Sequence, residues 1–149
     1  MRKYQSLIPL ATLIWHCHSM AVVPASYEVD IKVRFNRGEF ELPEPKQHEL
    51  EKLAAHLDDF KSAVIYIVAH GDSQGGDAAT ADESRLGSLR SGVISAIFSR
   101  RAISPSEQIH TYTEPVMDTE HDRLVEVVIK GYCGSDYTTC VEHWRAGAH

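Results

Sequence analysis

Seven residues near the middle of the chain, Ala63-Val64-Ile65-Tyr66-Ile67-Val68-Ala69, restrict the possible folds more than any other stretch. The run is almost wholly apolar, too short for a helix of average length and rich in β-formers, so it reads as a buried strand. A polar turn follows, His70-Gly71-Asp72-Ser73-Gln74-Gly75-Gly76-Asp77, with three glycines and two carboxylates. Beyond it, Leu86, Leu89, Val93, Ile94 and Ile97 recur at helical spacing. At about 100° per residue, Arg90 falls inside that apolar arc, one turn from both Leu86 and Ile94. A guanidinium stays charged and is rarely buried alone. An anion is therefore expected against Arg90, and the loop that ends the strand offers Asp72.

The remaining elements follow from periodicity. Tyr27, Val29, Ile31, Val33 and Phe35 alternate with Glu28, Asp30, Lys32 and Arg34, the pattern of a strand with one wet face. Asn36-Arg37-Gly38-Glu39 breaks it. Leu42-Pro43-Glu44-Pro45 leads into a helix with Leu50, Leu53, Ala54, Leu57 and Phe60 on one side, and Pro45 suits its first turn. A capping box, Thr80-Ala81-Asp82-Glu83, opens the second helix, which ends near Arg100-Arg101. Inside it Gly87 and Gly92 cost about 1 kcal/mol each relative to Ala. They are explained either by a close approach to the helix or by surface tolerance. After the breaker Ser104-Pro105, Gln108 to Thr113 reads as a third strand, Glu114 to His121 as a polar connection, and Asp122 to Ile129 as a fourth strand. The order β-α-β-α-β-β predicts an α+β fold, a two-layer sandwich with helices on one face of a mixed sheet.

A carboxylate and a guanidinium held side by side suit a zwitterion. Here the residues resemble the OmpA-like C-terminal domain family, whose signature is a strand, Gly-His-Thr-Asp-x-x-Gly, and then Asn-x-x-Leu-Ser-x-x-Arg-Ala-x-x-Val on a helix. In this chain it stands as Ala69-His70-Gly71-Asp72-Ser73-Gln74-Gly75 and Glu83-Ser84-Arg85-Leu86-Gly87-Ser88-Leu89-Arg90-Ser91-Gly92-Val93-Ile94. Gly71, Glu83, Gly87 and Ser91 replace the family's Thr, Asn, Ser and Ala. Further echoes are Phe35-Asn36, Leu42-Pro43-Glu44-Pro45, and Asp122-Arg123-Leu124-Val125-Glu126-Val127 against the family's Asn-Arg-Arg-Val-Glu-Ile. The resemblance spans about Val29 to Ile129 in segment order.

The resemblance implies a non-catalytic module of the periplasm, or one associated with the outer membrane there, that binds peptidoglycan. Asp72 and Arg90 would grip the free amino-acid end of diaminopimelate in the wall peptide, with Gly71 and Leu86 completing the ligand site. The alternative it implies is a scaffold domain that binds envelope or secretion-complex proteins and not the wall. Read singly, Asp72 could cap its own turn and Arg90 could snorkel to water. His70 and Asp72 also provide two metal donors, yet a catalytic metal needs at least three protein ligands. Asp77, His110 and His121 stand at no motif spacing, so neither metal nor cofactor is expected. No nucleophile elbow, phosphate loop or Cys-His pair suggests an enzyme.

At 149 residues, 43% hydrophobic and 24% charged, the composition is that of one soluble globular domain. A net charge of −6 with no basic block beyond Arg100-Arg101 argues against nucleic acid as a partner. Residues 1–21 read as a signal peptide: Arg2-Lys3, an apolar Leu7 to Trp15, and the small-x-small Ser19-Met20-Ala21. The apolar part falls far short of the roughly 20 residues of a membrane span. Residues 22–149 then form the OmpA-like domain, with a cysteine-closed extension at about 131–149. Bulky Trp15-His16 argue against acylation of Cys17. Cys133 and Cys140 are expected to pair in an oxidising compartment, in preference to a metal site completed by His143.

Overall fold

The alternation at the start of the chain does become a one-sided strand. The computed structural model describes residues 26–73, 81–101, 108–133, 138, 140 and 142. The expected leader with Cys17, the Thr80 cap, Asp77, Ser104-Pro105 and His143 lie outside those residues. In chain order come β1 (Ser26–Arg34), α1 (Glu44–Ala55), a 3-10 turn (Leu57–Asp59), β2 (Phe60–His70), α2 (Ala81–Ser99), β3 (Gln108–Glu114) and β4 (Leu124–Cys133). The expected βαβαββ order and mixed sheet are both present.

The strands lie side by side as β1-β4-β2-β3. Strand β4 runs antiparallel to both β1 and β2, whereas β2 and β3 are parallel. The parallel pair follows from the crossover helix α2, since parallel neighbours need a long connection. Val29, Ile31 and Val33 of β1, Ala63, Ile65, Ile67 and Ala69 of β2, and Val125, Val127 and Ile129 of β4 are all buried. They meet Leu50, Leu53 and Ala54 of α1 and Ile94 and Phe98 of α2 in one core. The other face of the sheet is wet and carries cross-strand ion pairs, Lys32–Glu126 at 3.1 Å and Lys130–Glu28 at 3.1 Å. In each pair the residues stand directly opposite in the β1–β4 register.

Three boundaries differ from the sequence expectation. Helix α1 stops at Ala55, so Leu57 lies in the 3-10 turn and Phe60 opens β2, although both side chains are buried. Helical spacing reports only that residues reach the same core, and here the tightened turn keeps Leu57 and Phe60 on it. Strand β2 starts three residues before Ala63 through an irregularity between Lys61 and Val64, where Ser62 has φ 60. An extra residue there absorbs the polar Lys61-Ser62 pair without inverting the faces of the strand. Strand β4 begins at Leu124, not Asp122, and runs on to Cys133. Arg123 just before it adopts φ 61, which ends the extended backbone.

The Cys133–Cys140 disulfide is present, with Cα atoms 5.8 Å apart and both residues buried. It ties the residues after β4 to the end of the sheet.

Candidate functional site

The side of α2 that meets the sheet is less apolar than its sequence suggests. Its buried positions are Glu83, Gly87, Arg90, Ser91, Ile94, Ile97 and Phe98, a stripe at spacings of three and four. Leu86 and Val93 are only half-buried and Leu89 is 40% exposed. Gly87 answers to a close approach: a β-carbon there would lie 2.7 Å from Thr113 Cγ2 on β3. Gly92 faces open space.

Arg90 is the largest fully buried side chain of the described residues. Its guanidinium donates from Nε to Glu39 O at 2.9 Å, from Nη1 to His70 O at 3.1 Å, and from Nη2 to Asn36 O at 3.0 Å. Nη2 also donates to Asp72 Oδ1 at 2.7 Å, an ion pair almost sealed from water. The Phe35 ring lies beneath it, 5.2 Å from Cζ to the centroid. Four of the five guanidinium donors are thus engaged. The anion expected against Arg90 is Asp72, and three carbonyls from the β1–α1 loop and the end of β2 complete the cradle. A direct grip on a ligand carboxylate would require Arg90 to exchange one of these partners.

Asp72 also accepts a short hydrogen bond from the Gly38 N–H at Oδ2. Its loop is clamped from the far side by the β3–β4 connection. Ser73 N donates to Asp122 Oδ1 at 2.7 Å, and Arg123 N donates to Gly71 O at 2.9 Å. Burial pushes the Asp122 carboxyl up, but the Ser73 N–H and Arg123 together hold it below its ordinary range. Arg34 fastens the clamp to β1, donating from Nη1 to Asp122 O at 2.8 Å and from Nη2 to Glu120 O at 2.9 Å. His70 turns its ring toward this connection. Its Nδ1 lies 3.4 Å from Pro115 O, and its buried Nε2 has no partner among the described residues.

A groove of about 320 Å³ opens beside this assembly, lined by Gly38, Phe40, Asp72, Asp82, Glu83, Arg85, Leu86 and Leu89. Of the residues expected at the site, Asp72 and Leu86 line it, while Arg90 lies behind Asp72. Gly71 packs against the start of α2, where a β-carbon would come within 2.5 Å of the Glu83 carbonyl oxygen. The Gly71 and Glu83 replacements are therefore in contact with each other. Sequence reasoning missed Gly38, Phe40, Asp82, Arg85 and Leu89. The last three could have been found as the helix stripe that continues through Leu86 at spacings of three and four. Among the described residues no group of three or more His, Cys, Asp or Glu is placed to hold a metal ion.

The fold is that of OmpA-like domains. No protein-family model matches the sequence, and no curated protein matches it significantly. Solved structures do. The OmpA-like domain of FopA1 from Francisella tularensis aligns with a TM-score of 0.56 at 15% identity, covering 73% of this chain and 76% of that one. The peptidoglycan-associated lipoprotein of Burkholderia pseudomallei aligns at 0.52 and 18% identity, covering 66% and 88%. The C-terminal domain of Helicobacter pylori MotB aligns at 0.52 and 12% identity, covering 78% and 95%. At these identities the likeness is one of fold.

Proposed function

We propose that this chain is a non-catalytic periplasmic module that binds peptidoglycan at the diaminopimelate of its stem peptide. The observation that carries the reading is Asp72: a carboxylate at the end of β2, fixed by Arg90 and Gly38, that faces a groove with two more acids. Such a groove favours an ammonium group. The ligand's amino group pairs with Asp72 while Leu86 and Leu89 cover its aliphatic chain. Gly71 sets the distance between loop and helix, and Arg90 holds the Asp72 carboxylate in place. The fold shared with a peptidoglycan-associated lipoprotein supports the same reading.

Export requires removal of residues 1–21. Mass spectrometry of the native protein is expected to find a chain starting near Val22, and an acylated Cys17 would make it a lipoprotein instead.

The direct test is sedimentation of the mature protein with purified cell wall. Wild-type protein is expected to co-sediment with diaminopimelate wall in preference to wall carrying lysine. Asp72→Asn keeps an oxygen for Arg90 but removes the charge offered to an ammonium. A charge-assisted hydrogen bond contributes about 1.5–3 kcal/mol, so binding should weaken roughly ten- to a hundredfold. Wild-type protein that ignores both walls would refute the proposal. A scaffold domain for other envelope proteins is the second reading, favoured by the engagement of four of Arg90's five donors within the domain.

A further inference from the structure

We infer that Arg85 receives the carboxylate of the zwitterionic ligand, and that the two arginines of α2 divide one task between them. The inference rests on the wall-binding reading above and assigns a second charged contact within the same groove. Arg90, the obvious cation, has no exposed surface and donates to three backbone carbonyls and to Asp72. Its positive charge is consumed in orienting the Asp72 carboxylate. A ligand with an ammonium and a carboxylate on one carbon therefore needs a different cation.

Arg85 meets that need. It is exposed and lines the groove together with Asp72, and it is the only Lys or Arg among the described lining residues. No ion pair among the described residues engages it. Asp82, Arg85, Leu86 and Leu89 recur at spacings of three and four, so one stripe of α2 presents an acid, a cation and two apolar side chains to the same space. The groove is thus acidic at the Asp72 end and has a single guanidinium on its helical wall. A planar guanidinium matches a carboxylate with two parallel N–H bonds. Position 85 is one that the family signature leaves open, so this contact belongs to this chain's own sequence. Residues 74–80, between Asp72 and α2, contain no Lys or Arg that could take the role.

The test compares two soluble peptides, L-Ala-γ-D-Glu-meso-diaminopimelate and the same peptide with the free-end carboxylate converted to an amide. Calorimetric titration of the mature wild-type protein should show the acid binding roughly ten- to a hundredfold more tightly than the amide. Arg85→Gln should bind both peptides equally weakly with its melting temperature unchanged. Arg85→Lys should recover part of the preference, and Arg37→Gln, beyond the groove, should retain all of it. If Arg85→Gln still prefers the acid, or if Arg37→Gln is the variant that loses the preference, the assignment is overturned while wall binding stands. If the wild type binds neither peptide, both the assignment and the function proposed above fall.

Discussion

The rings of His70 and His121 lie 5.1 Å apart between centroids, tilted by 51°, with His121 Nδ1 held 2.7 Å from Asp118 Oδ1. The bond to Asp118 raises the His121 pKa above its ordinary 6.5. The His121 backbone N–H, and then its side chain, lower that of Asp118 below 3.8. A histidine raised on folding stabilises fully below 6.5 and loses that contribution as pH rises through its folded value. A lowered aspartate stabilises above 3.8 and loses its contribution as pH falls through its folded value. The pair is therefore most stabilising between those limits. The melting temperature of His121→Gln should fall furthest below wild type between the ordinary values of 3.8 and 6.5, and approach it as pH rises through the raised His121 value. A gap that is constant with pH would show that the pair plays no part.

Removing Arg90 strands the groups that surround it. Arg90→Met leaves the Asp72 carboxylate with the Gly38 N–H and deprives the carbonyls of Asn36, Glu39 and His70 of their donor. Breaking a buried pair in this way costs about 3–5 kcal/mol, to be read as a lower urea midpoint. Asp72→Asn should cost less, because an amide oxygen still faces Nη2. A double-mutant cycle measures the coupling between them.

Two glycines should respond in opposite directions. Gly71→Ala drives a methyl group into the Glu83 backbone, which has no flexible end to swing away. Overpacking of this kind destabilises by about 1–3 kcal/mol. Gly92→Ala meets nothing within 4 Å on an exposed helical turn. It should stabilise by about 0.4–1 kcal/mol. Thermal melts of the two variants are sufficient to check both signs.

The Cys133–Cys140 bridge closes a short loop, and in the chain-entropy model such a loop contributes about 2–3 kcal/mol. Reduction, or the double replacement Cys133→Ala and Cys140→Ala, should lower stability by that amount in urea titrations. Thiol titration of the unfolded, unreduced protein should detect Cys17 alone, and no thiol in a chain that lacks residues 1–21.

Much of the frame was legible. Alternation along Tyr27 to Phe35 placed β1 and its faces, and the apolar run at Ala63 to Ala69 placed β2. The Asp72–Arg90 pair could be expected because a lone arginine in an apolar arc requires an anion and only one loop supplied it. The rest of the Arg90 cradle could not be read, since three of its acceptors are backbone carbonyls that every residue carries. Their position depends on the path of the β1–α1 loop, not on side-chain identity. Glu83 and Ser91 were hidden for a related reason. Polar residues in a helix read as its wet face until a neighbouring polar cluster, here the one around Arg90, gives the buried stripe a reason to include them.

The strand order β1-β4-β2-β3 has a consequence for when the sheet can close as the chain is made. The last strand among the described residues, β4, fills the gap between β1 and β2. Before Leu124 to Cys133 emerge, a nascent chain has only an isolated β1 and a parallel β2–β3 pair with one side open, and neither is a stable sheet on its own. Closure of the sheet acts as a terminal latch, thrown only after most of the chain has been made. Truncation just before Leu124 should therefore leave the whole domain unable to lock, although every described residue that lines the groove beside Asp72 would still be present.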